Sequence, residues 1–210
     1  QIVDAIQDLG GHAIVVPGDT RRADDVRRIV DATLETFSRI DYLILNAGAN
    51  WRARDLTTIP PEEWRCVLEA EIDGVFLPLH YGLPSMRAQG SGRVVILGLL
   101  HAMQMDNLTD MALDYCLGRA ARTWLAVALG CAEYTAGISV NVLEPGYVTG
   151  LTFKEALRLA EADRGDMFTR GAALNSHEVA RTIVYLCSEA GRHISGSIIR
   201  IPTHILPVER

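Results

Sequence analysis

The sequence predicts an α/β fold built on a doubly wound parallel sheet, and three observations carry that expectation. Short apolar runs alternate with stretches of helical periodicity from one end of the chain to the other. Alternating strands and helices pair their strands in parallel and place helices on both faces of the sheet. The runs Tyr42–Leu45 and Val94–Leu97 are apolar without interruption, the pattern of strands covered on both sides. Nothing reads as a linker or a repeat, so residues 1–210 are expected to form one domain.

Taken in order, residues 1–9 read as the end of a helix closed by Gly10-Gly11. His12–Pro17 reads as a short buried strand. Asp19 or Thr20 is expected to cap a helix running to about Ser38, with Val26, Ile29, Val30, Ala32 and Leu34 near one face. Tyr42–Leu45 is a strand, followed by the turn Asn46-Ala47-Gly48. Pro60-Pro61-Glu62-Glu63 opens a long helix to about Gln89, whose later turns Pro78 and Pro84 should bend or end. Arg93–Leu97 is a strand, and a long helix is expected from about Met111 to Ala136. Ile138–Val142 is a strand leading to Pro145-Gly146. Further helices are expected near 153–164 and 176–189, and Ser197–Ile201 is the last strand.

The net charge of −6 argues against nucleic acid or an anionic membrane surface as the main partner. No uninterrupted apolar stretch approaches about 18 residues, so no membrane span is expected. Cys66, Cys116, Cys131 and Cys187 form no CxxC pair. Neither a metal site nor a disulfide framework is expected, and a reducing cytoplasm fits. The first nine residues have helical spacing with acids inside it, unlike a secretory leader. Lys154 is the sole lysine; the other cationic side chains are arginine.

Several segments in order resemble the short-chain dehydrogenase/reductase family. Leu45-Asn46-Ala47-Gly48 resembles its Asn-Asn-Ala-Gly turn, and Gly92-Arg-Val-Val-Ile96 the strand that delivers its catalytic serine. Tyr115-Cys-Leu-Gly-Arg119 stands where the family has Tyr-x-x-x-Lys. Val140-Asn141-Val-Leu-Glu-Pro145-Gly146 matches its Asn-x-x-x-Pro-Gly strand end. Glu178-Val-Ala180, Tyr185-Leu-Cys-Ser188 and Ile194-Ser-Gly196 match its last helix and strand. The ordered set covers essentially the whole chain and implies a Rossmann-like fold.

The resemblance also implies an opening strand and a Thr-Gly-x-x-x-Gly-x-Gly turn, which brings backbone N–H groups to a dinucleotide pyrophosphate. Gln1 aligns inside the helix after the family's second strand, so this sequence does not contain that segment. Residues upstream of Gln1 are the favoured explanation, because a parallel sheet short of two strands exposes an apolar edge. Loss of this half, with a partner covering the gap, is the alternative. No tightly bound dinucleotide is expected for the chain as it stands, and NAD or NADP where an upstream segment exists.

The family's reaction implies a tyrosine acid/base, a lysine that lowers its pKa, a serine that polarises the carbonyl and an asparagine in a proton relay. An unperturbed tyrosine pKa near 10 is too high for a base at neutral pH, hence the lysine. Tyr115 stands at the tyrosine position and Arg119 at the lysine position. Arginine keeps the charge, but its planar fork does not titrate and fits the lysine's roles poorly. The serine position falls on Gly98 or Leu99 by the strand, or on Ala102 by counting back from Tyr115, and none carries a hydroxyl. His101 is a substitute donor, set against a structural role for a lone loop histidine. The asparagine position falls on Glu71, expected on a solvated acidic face with Glu69 and Asp73; a base paired with Arg119 is the alternative. The implied cofactor contacts are Asp19 at the adenine, which is equally a helix cap, the turn Asn46, Ala47, Gly48 at the ribose, and Pro145 and Gly146. Thr149 stands slightly out of register for the family's threonine, and Pro202-Thr-His204 replaces the common Asp-Gly-Gly ending.

Three functions follow from the resemblance. The first is a non-catalytic or weakened subunit, a pseudoenzyme in a homo- or hetero-oligomer with itself or an active homologue, assembled through the helices near 61–89 and 112–136. Trp124, Leu125, Val127, Ala128, Leu129 and Ala132 suit such a face. The second is an active NAD(P)-dependent alcohol or carbonyl oxidoreductase with a Tyr–Arg pair. The third is a cofactor-independent lyase similar to halohydrin dehalogenases, which use Tyr-x-x-x-Arg but also need a serine.

Overall fold

The computed structural model describes residues 2–50, 52, 54–100, 112–146, 148–149 and 174–201. The strands described are β1 (Tyr42–Leu45), β2 (Gly92–Leu97), β3 (Ile138–Pro145), β4 (Val148–Thr149), β5 (Leu174–Asn175) and β6 (Ile198–Ile201). Four of them form a parallel sheet in the order β1-β2-β3-β6, and β4 pairs with β5. One row of register runs Leu45, Ile96, Val142, Ile198 across the sheet. The helices are α1 (Ile2–Asp8), α2 (Ala23–Phe37), α3 (Pro61–Leu68), α4 (Gly74–Gln89), α5 (Leu113–Ala132) and α6 (Ser176–Cys187).

Side chains alternate across the sheet, and each face has its own core. Val94, Ile96, Val140 and Val142 pack against Val30 of α2, Val75, Leu79, Leu83 and Met86 of α4, and Ala126 of α5. Val95, Leu97 and Leu143 pack on the other face against Val179 and Leu186 of α6. The doubly wound architecture is therefore present. Two motif residues stitch the sheet near β6. Asn141 Nδ2 donates to Ile194 O at 2.7 Å and its Oδ1 accepts Ser197 N–H at 3.1 Å. Ser195 Oγ donates to Gly130 O at 2.8 Å.

Several boundaries differ from the sequence expectation. His12–Pro17 pairs with no strand among the described residues, and Val15 is 73% exposed. A β-branched run supplies the side chains of a strand but not its neighbour, and an unpartnered segment forms no ladder. Neither Asp19 nor Thr20 caps α2, which begins after Arg22 without a side-chain cap. Instead Asp25, in the first turn, accepts the Asp19 N–H at 3.0 Å. Val26 and Val30 are buried as their spacing predicts. The long helix from residue 61 is broken by a π-helical turn, Glu69–Asp73, before α4; the wide turn shifts the helical phase and buries Glu71. Pro78 and Pro84 lie inside α4 and end nothing. α5 stops at Ala132, and Tyr134–Ala136 forms a separate short turn. The helix expected near 153–164 lies outside the described residues. Among the described residues no helix is long and apolar enough to cross a membrane, and no group of His, Cys, Asp or Glu could hold a metal ion.

Candidate active site

Tyr115, Arg119 and Arg122 occupy positions i, i+4 and i+7 of α5 and so share one face. That face meets the carboxyl ends of β1 and β2, where open α/β sheets place their ligand clefts. Arg119 Nη1 donates to Leu97 O at 2.7 Å and to Gly98 O at 3.4 Å. Its guanidinium carbon sits 4.7 Å from the centroid of the Tyr115 ring, within cation–π range. Arg122 is held by four backbone carbonyls. Its Nε donates to Glu71 O at 2.7 Å, Nη2 to Ala47 O at 2.7 Å and Ala70 O at 3.2 Å, and Nη1 to Leu97 O at 3.3 Å.

Glu71 is fully buried between the two arginines. Its Oε2 is 2.9 Å from Nε of Arg119 and 2.9 Å from Nε of Arg122. Neither Oε2 nor Arg119 Nε is aligned for a hydrogen bond, so these contacts act through charge. Oε1 accepts the Ala49 N–H at 2.6 Å, which ties the turn after β1 to the π-helical segment. Two glycines make this crowding possible. A Cβ on Gly48 would sit 2.5 Å from Glu71 Oε1 and 2.8 Å from Arg122 Nη2, and one on Gly118 would overlap the Glu71 side chain.

Burial pushes the Glu71 carboxyl above its ordinary range, against the pull of both arginines. Burial, reinforced by the Arg119 charge, pushes Arg122 down to about 10, still cationic at neutral pH. Burial also raises the Tyr115 phenol; Arg119 and Arg122 pull it down and Glu71 adds to the rise.

Glu71 is not on a solvated face: it is buried and paired with Arg119, the alternative reading. Glu69 is exposed. Gly98 has no room for a serine, since a Cβ there would meet Val142 Cγ2 at 2.9 Å and Glu144 Cγ at 3.1 Å. His101, Ala102 and 202–204 lie outside the described residues. Asp19 is engaged by Arg21, whose Nε and Nη2 approach its carboxylate at 2.9 and 2.6 Å and hold it down at about 2. Asn46, Ala47 and Gly48 form an exposed turn after β1. Pro145 ends β3, and Gly146 N–H donates to Ile201 O at 2.9 Å. Thr149 lies in β4.

Asp19, Ala47 and Gly48 share a cleft of about 840 Å³ with Arg21, Arg54 and Asp114. Arg54 pairs with Glu63 and reaches the buried Asp114 at 3.2 Å, fastening the loop after β1 to the start of α5. Arg122, Arg54 and Asp114 were not singled out from sequence. The i, i+4, i+7 spacing from Tyr115 was a signal for Arg122; nothing local marked Arg54.

Short-chain dehydrogenases typically use NAD or NADP, and the residues present fit that group on one side only. The Ala47–Gly48 turn opens on the cleft. The side chain at the lysine position does not: Arg119 is 9% exposed and is spent on Leu97 O and Glu71. Gly98 supplies no hydroxyl either, so the reacting side of the site does not fit a nicotinamide.

Residues 1–202 match the family model described as enoyl-(acyl carrier protein) reductase. The chain is 26% identical over 201 residues to cyclohexanol dehydrogenase of Acinetobacter sp. (strain SE19), covering 94% of this chain and 76% of that one. It is 29% identical over 206 residues to cis-4-hydroxycyclohexanecarboxylate dehydrogenase of Sinomonas cyclohexanicum, covering 95% and 79%. The solved structure of a short-chain type dehydrogenase/reductase from Mycobacterium marinum superposes with a TM-score of 0.81 at 25% identity, covering 95% of this chain and 78% of that one. With the parallel sheet, the Asn-Ala-Gly turn and Tyr115 in place, these likenesses establish that the chain belongs to the short-chain dehydrogenase/reductase family.

Proposed function

We propose that this chain is an oxidoreductase-family protein with weak or no hydride-transfer chemistry of its own, acting in the cytoplasm as a subunit beside an active homologous chain or a second copy of itself. One observation carries the reading: the arginine at the lysine position is held in the interior by Leu97 O and Glu71. A group so committed is poorly placed to orient a ribose and relay protons. The outer face of α5 supports an assembly, since Leu117 and Trp124 are 50% and 69% exposed. Calorimetric titration with NAD(H) and NADP(H), together with turnover assays on alcohols and ketones, tests the reading. The expected result is neither tight binding nor turnover; a micromolar dissociation constant with turnover overturns it.

A second reading, an active oxidoreductase using a Tyr115–Arg119 pair, is favoured by the guanidinium stacked 4.7 Å from the ring. Under that reading Tyr115→Phe abolishes turnover and leaves the fold intact.

A further inference from the structure

Three charged side chains are buried together behind Tyr115. Arg119 and Arg122 expose 9% and 1% of their side chains and Glu71 none. Arg119 with Glu71 alone would be a neutral pair, and the field it exerted on Tyr115 would largely cancel. Arg122 adds one positive charge against the same carboxylate oxygen, also at 2.9 Å. The triad then carries a net positive charge, and its arginine nearest the ring is Arg119.

We propose that Arg122 is a positioning residue for Tyr115: it takes Glu71 as its own counter-ion, so that the charge of Arg119 is left to stabilise an anionic oxygen on Tyr115. The inference goes beyond the proposed function, because it concerns the protonation of Tyr115 and holds with or without turnover. The directions of the forces on the phenol agree with it: Arg119 and Arg122 favour the phenolate and Glu71 opposes it. Other charged groups near this face are already paired. Asp114 accepts the Tyr115 N–H at 2.9 Å and Arg54 at 3.2 Å. Glu144 on β3 accepts Thr123 Oγ1 at 2.8 Å and Arg200 Nε at 3.3 Å. Two substitutions in one sequence are thereby linked. An acid at Glu71 would cancel the cation at Arg119, and the arginine one turn further on restores it.

The test follows the ring Cζ resonances of ¹³C-labelled tyrosine from about pH 7 to 12, with Tyr115 assigned by its loss in Tyr115→Phe. Arg122→Met should raise the Tyr115 midpoint by about one pH unit or more, and Glu71→Gln should lower it by a similar amount. The double variant should return close to the parent, and Arg122→Lys should stay there. A merely structural role for Arg122 predicts shifts of one sign, or none, and no return in the double variant. Either result overturns the proposal, as does Arg122→Lys behaving like Arg122→Met, or a parent Tyr115 that does not titrate in this range. Should Arg122→Met fail to fold, Glu71→Gln and the double variant decide. A midpoint that Glu71→Gln leaves in place or raises refutes the assignment.

Discussion

Arg122 Nε lies 2.9 Å from Glu71 Oε2 and 2.7 Å from the carbonyl oxygen of the same residue, so one side chain satisfies both the charge and the backbone of the π-helical turn. Removing the counter-ion from a buried charged cluster costs about 3–5 kcal/mol, and Glu71 is the counter-ion of both Arg119 and Arg122. Glu71→Ala should therefore lower stability by roughly that amount, since it leaves two buried guanidiniums facing each other. Glu71→Gln with Arg122→Met leaves Arg119 as the one buried charge of the three, still bonded to Leu97 O, and should be milder. Urea unfolding of the two variants checks this. Equal losses would mean that packing, and not charge, holds the site.

Gly118→Ala sets two effects against each other. Helix propensity favours alanine by about 1 kcal/mol. The new methyl would overlap the Glu71 side chain, and overpacking costs about 1–3 kcal/mol. Glu71 is held by Arg119, Arg122 and the Ala49 N–H and cannot swing aside, so the overlap should win. We expect a lower urea midpoint; a higher one would show that Glu71 yields.

Arg87 and Glu133 join α4 to the end of α5, with Arg87 Nε donating to Glu133 Oε2 at 2.8 Å. The hydrogen bonds from Arg87 hold the Glu133 carboxyl below its ordinary 4.5. The folded form then binds fewer protons than the unfolded form just below that value. The pair's contribution is present above pH 4.5 and is lost as pH falls through the lower folded value. Glu133→Gln should flatten the acid side of the melting-temperature profile while changing little in its slope above pH 6. An unchanged acid limb would remove the pair from the account.

Trp124 is 69% exposed on α5. If this helix carries the proposed subunit contact, Trp124→Glu should shift the sedimentation profile to a smaller species. Monomer stability should move by no more than about 0.5 kcal/mol, as for most surface changes. An unchanged mass would place the contact elsewhere.

The layering of the fold was legible because strands covered on both faces leave continuous apolar runs. Val94–Leu97 announced both cores at once, Val94 and Ile96 to one side and Val95 and Leu97 to the other. His12–Pro17 misled for a related reason: apolar content reports side-chain preference, whereas a strand needs a neighbour's hydrogen bonds. At the site, Tyr115 and Arg119 could be named from spacing and resemblance. Glu71 was expected on a solvated face because Glu69 and Asp73 flank it, and a regular helix would put a charged cluster outward. The π-helical turn that rotates it inward leaves no local mark in the sequence. Arg122 was within reach of helical spacing, but a lone arginine on a helix is ordinarily a surface residue, and only its four carbonyl acceptors reveal otherwise.

Those acceptors lie far apart in the chain, the contacts of Arg122 with Ala47, Ala70, Glu71 and Leu97 spanning 75, 52, 51 and 25 residues. The full set cannot form before the turn after β1, the π-helical segment and the end of β2 have all met α5. Loops of this length are costly to close before their contacts reward them, which argues for late formation, and interactions absent from the transition state slow unfolding without hastening folding. Arg122 is thus a latch on the folded state: its loss should steepen the escape from the native basin, seen as a faster unfolding arm beside an almost unchanged refolding arm.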